Sequence, residues 1–299
     1  MTELISLNGA IDLHIHTGPD RYKRIWNDSD TAEMAVRYGM KAIVLKNHVE
    51  STVGRAYHAS RMHPETKVFG GLILNKFVGG INPIAVEEVL KMGAKIIWMP
   101  TMHADHHMDI IGSSSTLALD KPPTTEKQKL RAERHNKEGI SVIENGTLKK
   151  EAKETLEIIS EYDAICSTAH LSREEIMQVA EFSHSIGFRK LIIGHPFFKV
   201  PALGMEDLKK LVALGATIEF CAAISLGFHR YTTVEKVKES TDVLGSENCI
   251  LSSDGGQTYN PVFPELLRIF AQTLHNKGLA KEHLDTMMKR NQEGLLNLD

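Results

Sequence analysis

The chain has 299 residues, 42% hydrophobic and 24% charged, a composition that folds throughout and leaves no room for a disordered majority. Its 35 Lys and Arg against 38 Asp and Glu give a formal net charge of −3, so no global field draws it to nucleic acid or to an anionic membrane, and a small molecule is the expected partner. No stretch reaches the roughly 18 apolar residues of a membrane span, and the opening residues lack a basic leader ahead of a long apolar core, which reads as cytoplasmic.

The first element is the run 11–16, Ile-Asp-Leu-His-Ile-His, which predicts a buried strand. Side chains alternate along a strand, so His14 and His16 share one face and form a pair of nitrogen donors. On its own such a pair is a weak signal, since two histidines on a strand are more often ordinary ones than metal ligands. The loop Thr17-Gly-Pro-Asp-Arg21 leads into a helix whose start carries Asp30 with Glu33 three residues on, a capping-box pattern, and whose end is marked by Gly39. Strands follow over 40–48 and 67–74. Asn82 caps a helix that begins at Pro83 and closes at Gly93, and 95–103 is the fourth strand.

Residues 104–150 then break the rhythm with Gly-Ser-Ser-Ser, Lys-Pro-Pro, a charged helix over 125–138 and a hairpin around 143–146, a connection far longer than usual. It is expected to be a lid or substrate wall, with a packing or oligomer-contact role as the alternative. Strands at 163–170, 189–196, 217–221 and 248–254 complete the set, with Ser172 and Glu175 opening one helix and Gly187 and Gly215 closing two. After Pro261 come the last barrel helix and a C-terminal cover. Cys166, Cys221 and Cys249 sit in strand-like runs without C-x-x-C spacing and are read as reduced core thiols.

Eight short strands without polar alternation, each followed by helical sequence, predict an α/β chain folded as a single (β/α)8 TIM barrel over 1–299, with an insertion after strand four and extra C-terminal helices. A doubly wound open sheet is the rival, but the chain has neither G-x-G-x-x-G nor G-x-x-x-x-G-K-[ST].

A parallel barrel places its site at the C-terminal ends of the strands. There the sequence puts His14 and His16 (strand one), Lys46 and His48 (strand two), His103 (strand four), His170 (strand five), His195 (strand six) and Asp254 (strand eight). Histidines scattered through a core would not all choose one end, so the set is read as a metal centre. His106 and His107 could chelate if helical, but an exposed polar loop is the favoured reading. His58, His63, His135 and His184 fall on helices away from the strand ends and are expected at the surface. Arg21, Arg24, Phe197, Phe198, His229 and Arg230 lie in loops after strands one, six and seven and are candidates to shape a pocket, with His48 at the end of strand two expected to bind substrate and not metal.

The His-x-His after strand one, the single histidines after strands five and six and the Asp after strand eight resemble the metal-dependent amidohydrolase superfamily over nearly the whole chain. The resemblance implies that His14, His16 and Asp254 bind one divalent ion, and that His170 and His195 bind or flank a second. Zinc is the first expectation, with manganese or iron open and one or two ions equally allowed. The chain departs from that pattern at strand four, where Trp98-Met-Pro-Thr-Met-His103 offers no bridging Lys or Glu. Lys46, carboxylated, or His103 is left to supply the bridge, and Lys46 reads equally well as a charge for an anionic substrate.

The expected activity is hydrolysis of an amide, lactone or other ester, with Asp254 moving protons and His195 steadying developing negative charge. Asp-Leu-His-Ile-His and Asn47-His48 are also similar to the polymerase-and-histidinol-phosphatase family, which makes a phosphoesterase the first alternative. Asn47 and the Ser253-Asp-Gly-Gly256 run depart from that family's pattern. A metal-dependent decarboxylase or a non-catalytic binding barrel is the second alternative, and a homo-oligomer stays open.

Overall fold

A computed structural model describes residues 4–112, 124–130, 138–228 and 230–298. The strands are β1 (Ile11–His16), β2 (Ala42–Lys46), β3 (Lys67–Phe69), β4 (Gly71–Ile73), β5 (Ile96–Trp98), the hairpin β6 (Ile143–Glu144) and β7 (Thr147–Leu148), then β8 (Ile165–Ser167), β9 (Leu191–Gly194), β10 (Thr217–Cys221) and β11 (Cys249–Ser252). Except in the hairpin, every pairing is parallel. The ladders run β1-β2-β3 and β4-β5-β8-β9-β10-β11, and strand three belongs to both because its halves, β3 and β4, separate at Gly70. At the other seam Ile15 bridges Gly255, and the His16 N–H donates to the Gly255 carbonyl at 2.9 Å. Eight strand positions thus close on themselves as a (β/α)8 barrel.

The break in strand three has a tertiary cause. Thr52 lies against Gly70, and its hydroxyl donates to the Leu45 carbonyl and accepts from the Gly71 N–H at 2.7 and 2.9 Å. A Cβ on Gly71 would collide with the Ile96 carbonyl, so the residue lets β4 lie this close to β5.

The helix signals are mostly met. Asn82 accepts from the Ala85 N–H, Ser172 and Glu175 form both halves of a capping box, and Gly39, Gly93, Gly187 and Gly215 take the left-handed backbone that ends a helix. The first helix differs: it spans Asp28–Arg37, and Asn27, whose side chain accepts from the Asp30 N–H, is its cap. The cap therefore lies three residues ahead of the expected Asp30. The segment after strand four opens with a helix, Asp105–Ile111, and the expected hairpin turns on Asn145-Gly146, both at positive φ. Half of the charged helix expected over 125–138, residues 131–137, lies outside the described residues, His135 with it.

The helix Phe263–Asn276 is the barrel's last, and the helical turns from Lys281 to Leu296 cover the end of the barrel opposite the histidines. There Gln292, fully buried, donates to the Leu251 and Met287 carbonyls, and Asn291 donates to the Cys249 carbonyl. All three cysteines are buried and unbridged. Among the described residues no helix is long and apolar enough to cross a membrane.

Gly71→Ala should destabilise the fold by about 3 kcal/mol, because the obstacle is backbone and β4 cannot yield without leaving β5. Gly54→Ala, whose new Cβ meets nothing within 4 Å inside a helix, should be neutral or stabilising. Paired urea melts check both, and equal midpoints for the two variants would contradict the packing account.

Candidate metal centre

The side chains that converge at the barrel mouth do so by specific backbone devices. The β1–β2 register slips by one residue between Asp12 and Ile15, a bulge, and the Asp12 carboxylate accepts the His14 N–H at 3.0 Å. Asp12 also accepts from the Ser253 N–H, which staples β1 to β11. Three of the late strands leave the sheet through non-glycine residues in the left-handed region: Ala169 just before His170, then His195 and Asp254 themselves. Such conformations cost of order 1–3 kcal/mol each and persist where the surroundings over-determine them, as they do here where chemistry-bearing side chains are aimed inward.

Asp254 Oδ1 lies 3.2 Å from Nε2 of both His14 and His16. Ligands of a four-coordinate zinc ion about 2.1 Å from the metal lie about 3.4 Å apart, so this spacing is that of a donor set and fits a divalent ion. Behind it, Glu219 meets His14 Nδ1 at 3.3 Å and holds the ring so that Nε2 faces the cavity. Lys46 Nζ stands 2.9 Å from His14 Nε2 and 5.1 Å from the centre of the Trp98 ring. The His195 ring centre is 5.9 Å from that of His14 and 4.9 Å from that of His170. To one side, Arg24 binds Asp20 and reaches His16 Nδ1 at 3.2 Å, while His48 Nδ1 donates to Asp20 at 2.9 Å.

Burial sets the protonation pattern. It holds His16 and His170 well below the usual imidazole range and presses His195 down to about 4, leaving three neutral rings with lone pairs to offer. His14 differs. Burial and Lys46 oppose its protonation, but Asp254 and Glu219 outweigh them and lift it to about 9, while burial lowers Lys46. At 2.9 Å the Lys46 amine and His14 Nε2 are within hydrogen-bond distance, and a divalent ion at His14 Nε2 would displace that contact. Burial works against an ionised Asp254, yet His14 and His16 keep it well below the carboxylate range.

A cavity of about 360 Å³ opens over these groups. His14, His16, Lys46, His48, His170, His195 and Asp254 line it, and so do Arg21, Arg24 and Phe198. Other expected residues do not. Phe197 is buried and lies 5.8 Å from Phe220, ring centre to ring centre, so it belongs to the core. Arg230 is exposed and apart from the cavity lining, and His229 lies outside the described residues. His103 is fully buried with its ring 4.7 Å from that of Phe77 and is not in the cavity wall, so Lys46 alone of the two bridge candidates meets His14.

The loop expected around His107 is a helix, and His107 is fully buried with Nδ1 2.7 Å from Nδ1 of His170. Their rings are within 18° of parallel with centres 4.7 Å apart, the edge-to-edge geometry of an N–H···N bond. Glu219 and Asp20 are residues that sequence reasoning missed, and His107 is favoured there as part of an exposed loop. The signal for Glu219 was present, a lone carboxylate inside the apolar strand Thr217-Ile-Glu-Phe-Cys221.

Solved structures share this architecture. The chain resembles an amidohydrolase from Pseudomonas aeruginosa (TM-score 0.59, 11% identity, 96% of each chain covered). It also resembles a TatD homologue from Escherichia coli (0.59, 15%, 98% of this chain and 100% of that one) and an organophosphorus hydrolase from Deinococcus radiodurans (0.54, 15%, 96% and 92%). At such identities the likeness is one of fold. No curated protein matches in sequence. A family model does match over residues 9–219, a span that contains His14, His16, His170, His195 and Glu219 but ends before Asp254. The chain belongs to that family, the family of unknown function DUF6282.

Proposed function

We propose that this chain is a metal-dependent hydrolase that cleaves an amide, lactone or other ester in a small molecule, using one or two divalent ions, zinc first among them. The observation that carries the reading is the meeting of His14, His16 and Asp254 within one donor set, with His170 and His195 beside it on the same cavity wall. The shared fold of the amidohydrolase and organophosphorus hydrolase neighbours supports it.

A divalent ion in such a site supplies Lewis acidity and lowers the pKa of water toward neutrality. The chain's own groups do the rest. His14, His16 and Asp254 hold one ion, and His170 and His195 hold a second or face the substrate. Asp254, ionised at neutral pH, accepts the proton of the attacking water and returns it to the leaving group. His195, neutral down to about pH 4, donates a hydrogen bond to the oxygen on which charge develops. Lys46, lowered by burial, is the residue in place to be carboxylated as a bridge or to pair with substrate. Glu219 and His107 orient His14 and His170 from behind.

The test is turnover on matched panels of amides, lactones, carboxylic esters and phosphoesters, before and after chelation and after return of zinc, manganese or iron. Activity on the first three that is lost on chelation and restored by metal is expected. Activity confined to phosphoesters would replace this reading with the phosphoesterase one. Asp254→Asn should keep the fold and most of the metal while lowering kcat by about 10²–10⁴-fold, and a folded, metal-loaded variant with normal turnover would remove Asp254 from proton transfer. Glu219→Leu should weaken zinc binding by about 10–100-fold in a calorimetric titration, because His14 loses the partner that fixes its ring.

A further inference from the structure

The cavity has two unlike sides. The charged and imidazole groups described above form one, and the loops after β9 and β10 form the other, where Phe198, Ala223, Ile224 and Tyr231 line it. Phe198 and Tyr231 meet edge to face with ring centres 4.9 Å apart, and Phe198 lies 5.3 and 5.6 Å from the His170 and His195 rings. An apolar wall therefore begins at the proposed reaction centre and runs outward to a tyrosine that is 39% exposed.

Backbone hydrogen bonds tie this wall to the residues of the site. The Phe198 N–H donates to the His195 carbonyl and the Phe198 carbonyl accepts the Ala202 N–H, both at 2.9 Å, so the turn that carries the ring closes on His195. The Ala223 N–H donates at 3.0 Å to the carbonyl of Ser253, the residue before Asp254. The Ile224 carbonyl accepts the N–H groups of Tyr231 and Thr232 at 2.8 and 3.2 Å, which folds their loop back onto the short helix Ala222–Ser225. Gly227 lets the chain turn there, since a Cβ at that position would collide with the Ala223 carbonyl. A wall held in this way is preorganised, and little ordering is left for a ligand to impose.

Of the four side chains only Tyr231 carries a hydrogen-bonding group, so a charged or strongly polar group laid against the wall would leave water without replacement partners. Hydrocarbon placed there gains about fourfold in affinity per fully buried methylene. We infer that the substrate carries an uncharged hydrocarbon group, aryl or alkyl, next to its scissile bond, and that Phe198, Ile224 and Tyr231 select it. The inference rests on the reading of this cavity as the substrate site of a hydrolase and narrows the amides, lactones and esters it takes. Phe198 abuts the rings of His170 and His195, which sets the selected group beside the bond that breaks and not on a remote tail.

Ligand-observed NMR titration of the full chain with three unreactive probes tests this: 3-phenylpropan-1-ol, hexan-1-ol and the polar propane-1,3-diol. Each is titrated into zinc-loaded protein, into chelator-stripped protein, and into stripped Phe198→Ala, Tyr231→Ser and Tyr57→Ser variants. Tyr57, 59% exposed on the helix Val53–Met62 and apart from the cavity lining, reports non-specific binding. At least one of the two apolar alcohols should bind about tenfold or more tighter than the diol, with and without zinc. That advantage should fall about threefold or more in Phe198→Ala and in Tyr231→Ser and stay unchanged in Tyr57→Ser. The tighter alcohol shows whether the group is aryl or alkyl. Tyr231→Ser alters an exposed side chain, so it decides the matter by itself if Phe198→Ala does not fold. Equal affinity for all three probes, an advantage seen in only one of the two preparations, one that survives in a folded wall variant, or one that falls equally in Tyr57→Ser would each overturn the inference. Stripped protein isolates this result from hydrolysis: a preference kept there, beside no turnover on any panel, would sink the hydrolase reading and leave the apolar subsite standing, whereas turnover without the preference would sink the inference alone.

Discussion

The seam between the last strand and the first governs both the closure of this barrel and the arrangement of its donors. Ser253 reaches back to Asp12 and to the His14 carbonyl, Gly255 accepts the His16 N–H, and Gly256 lies so close to the His16 carbonyl that no side chain would fit. With the backbone pinned at Ser253, Gly255 and Gly256 on either side of it, Asp254 has little choice of direction. Its Oδ1 comes to rest 3.2 Å from two imidazole nitrogens contributed by the other side of the seam. Closing the barrel and assembling the donor set are therefore one event, and a chain that failed to pair β11 with β1 would lose both.

Burying so many ionisable groups together is costly unless each is neutral or paired. The site uses both solutions. Three imidazoles stay neutral because burial outweighs the nearby carboxylates, whereas Asp254 and Glu219 favour the charged form of His14. Arg24, Asp20 and His48 form a separate balanced group that steadies His16 from the side. The result is a floor in which each buried group is either neutral or paired. The exposed loop after β1 and the aromatic wall after β9 and β10 line the cavity above it.

Much of this was legible in the sequence, for reasons that differ residue by residue. Parallel strands announce themselves as apolar runs, and Gly39, Gly93, Gly187 and Gly215 mark helix ends because only a residue without Cβ takes that backbone cheaply. Histidines that recur at one end of successive strands carry information no single histidine has. What stayed hidden depends on contacts distant in sequence. Strand three divides because Thr52 and Ile96 crowd Gly70 and Gly71, and nothing local to 67–74 shows it. His107 reads as loop because it follows a strand end in polar company, yet its helix turns it inward to His170. Asn27 displaced Asp30 as a cap through a competition between neighbours that spacing alone does not decide. Phe197 and Phe198, adjacent in the chain, part company because one faces Phe220 and the other His170.

The central claim is that His14, His16 and Asp254 hold a metal ion. Elemental mass spectrometry of tag-free protein purified without chelators, beside the His14→Ala/His16→Ala variant, tests it most directly. The account predicts one or two divalent ions per chain in the native protein and a loss of at least one of them in a variant that remains folded. Native protein that carries no ion and takes up no zinc, manganese or iron would contradict it, as would a variant that keeps the full complement.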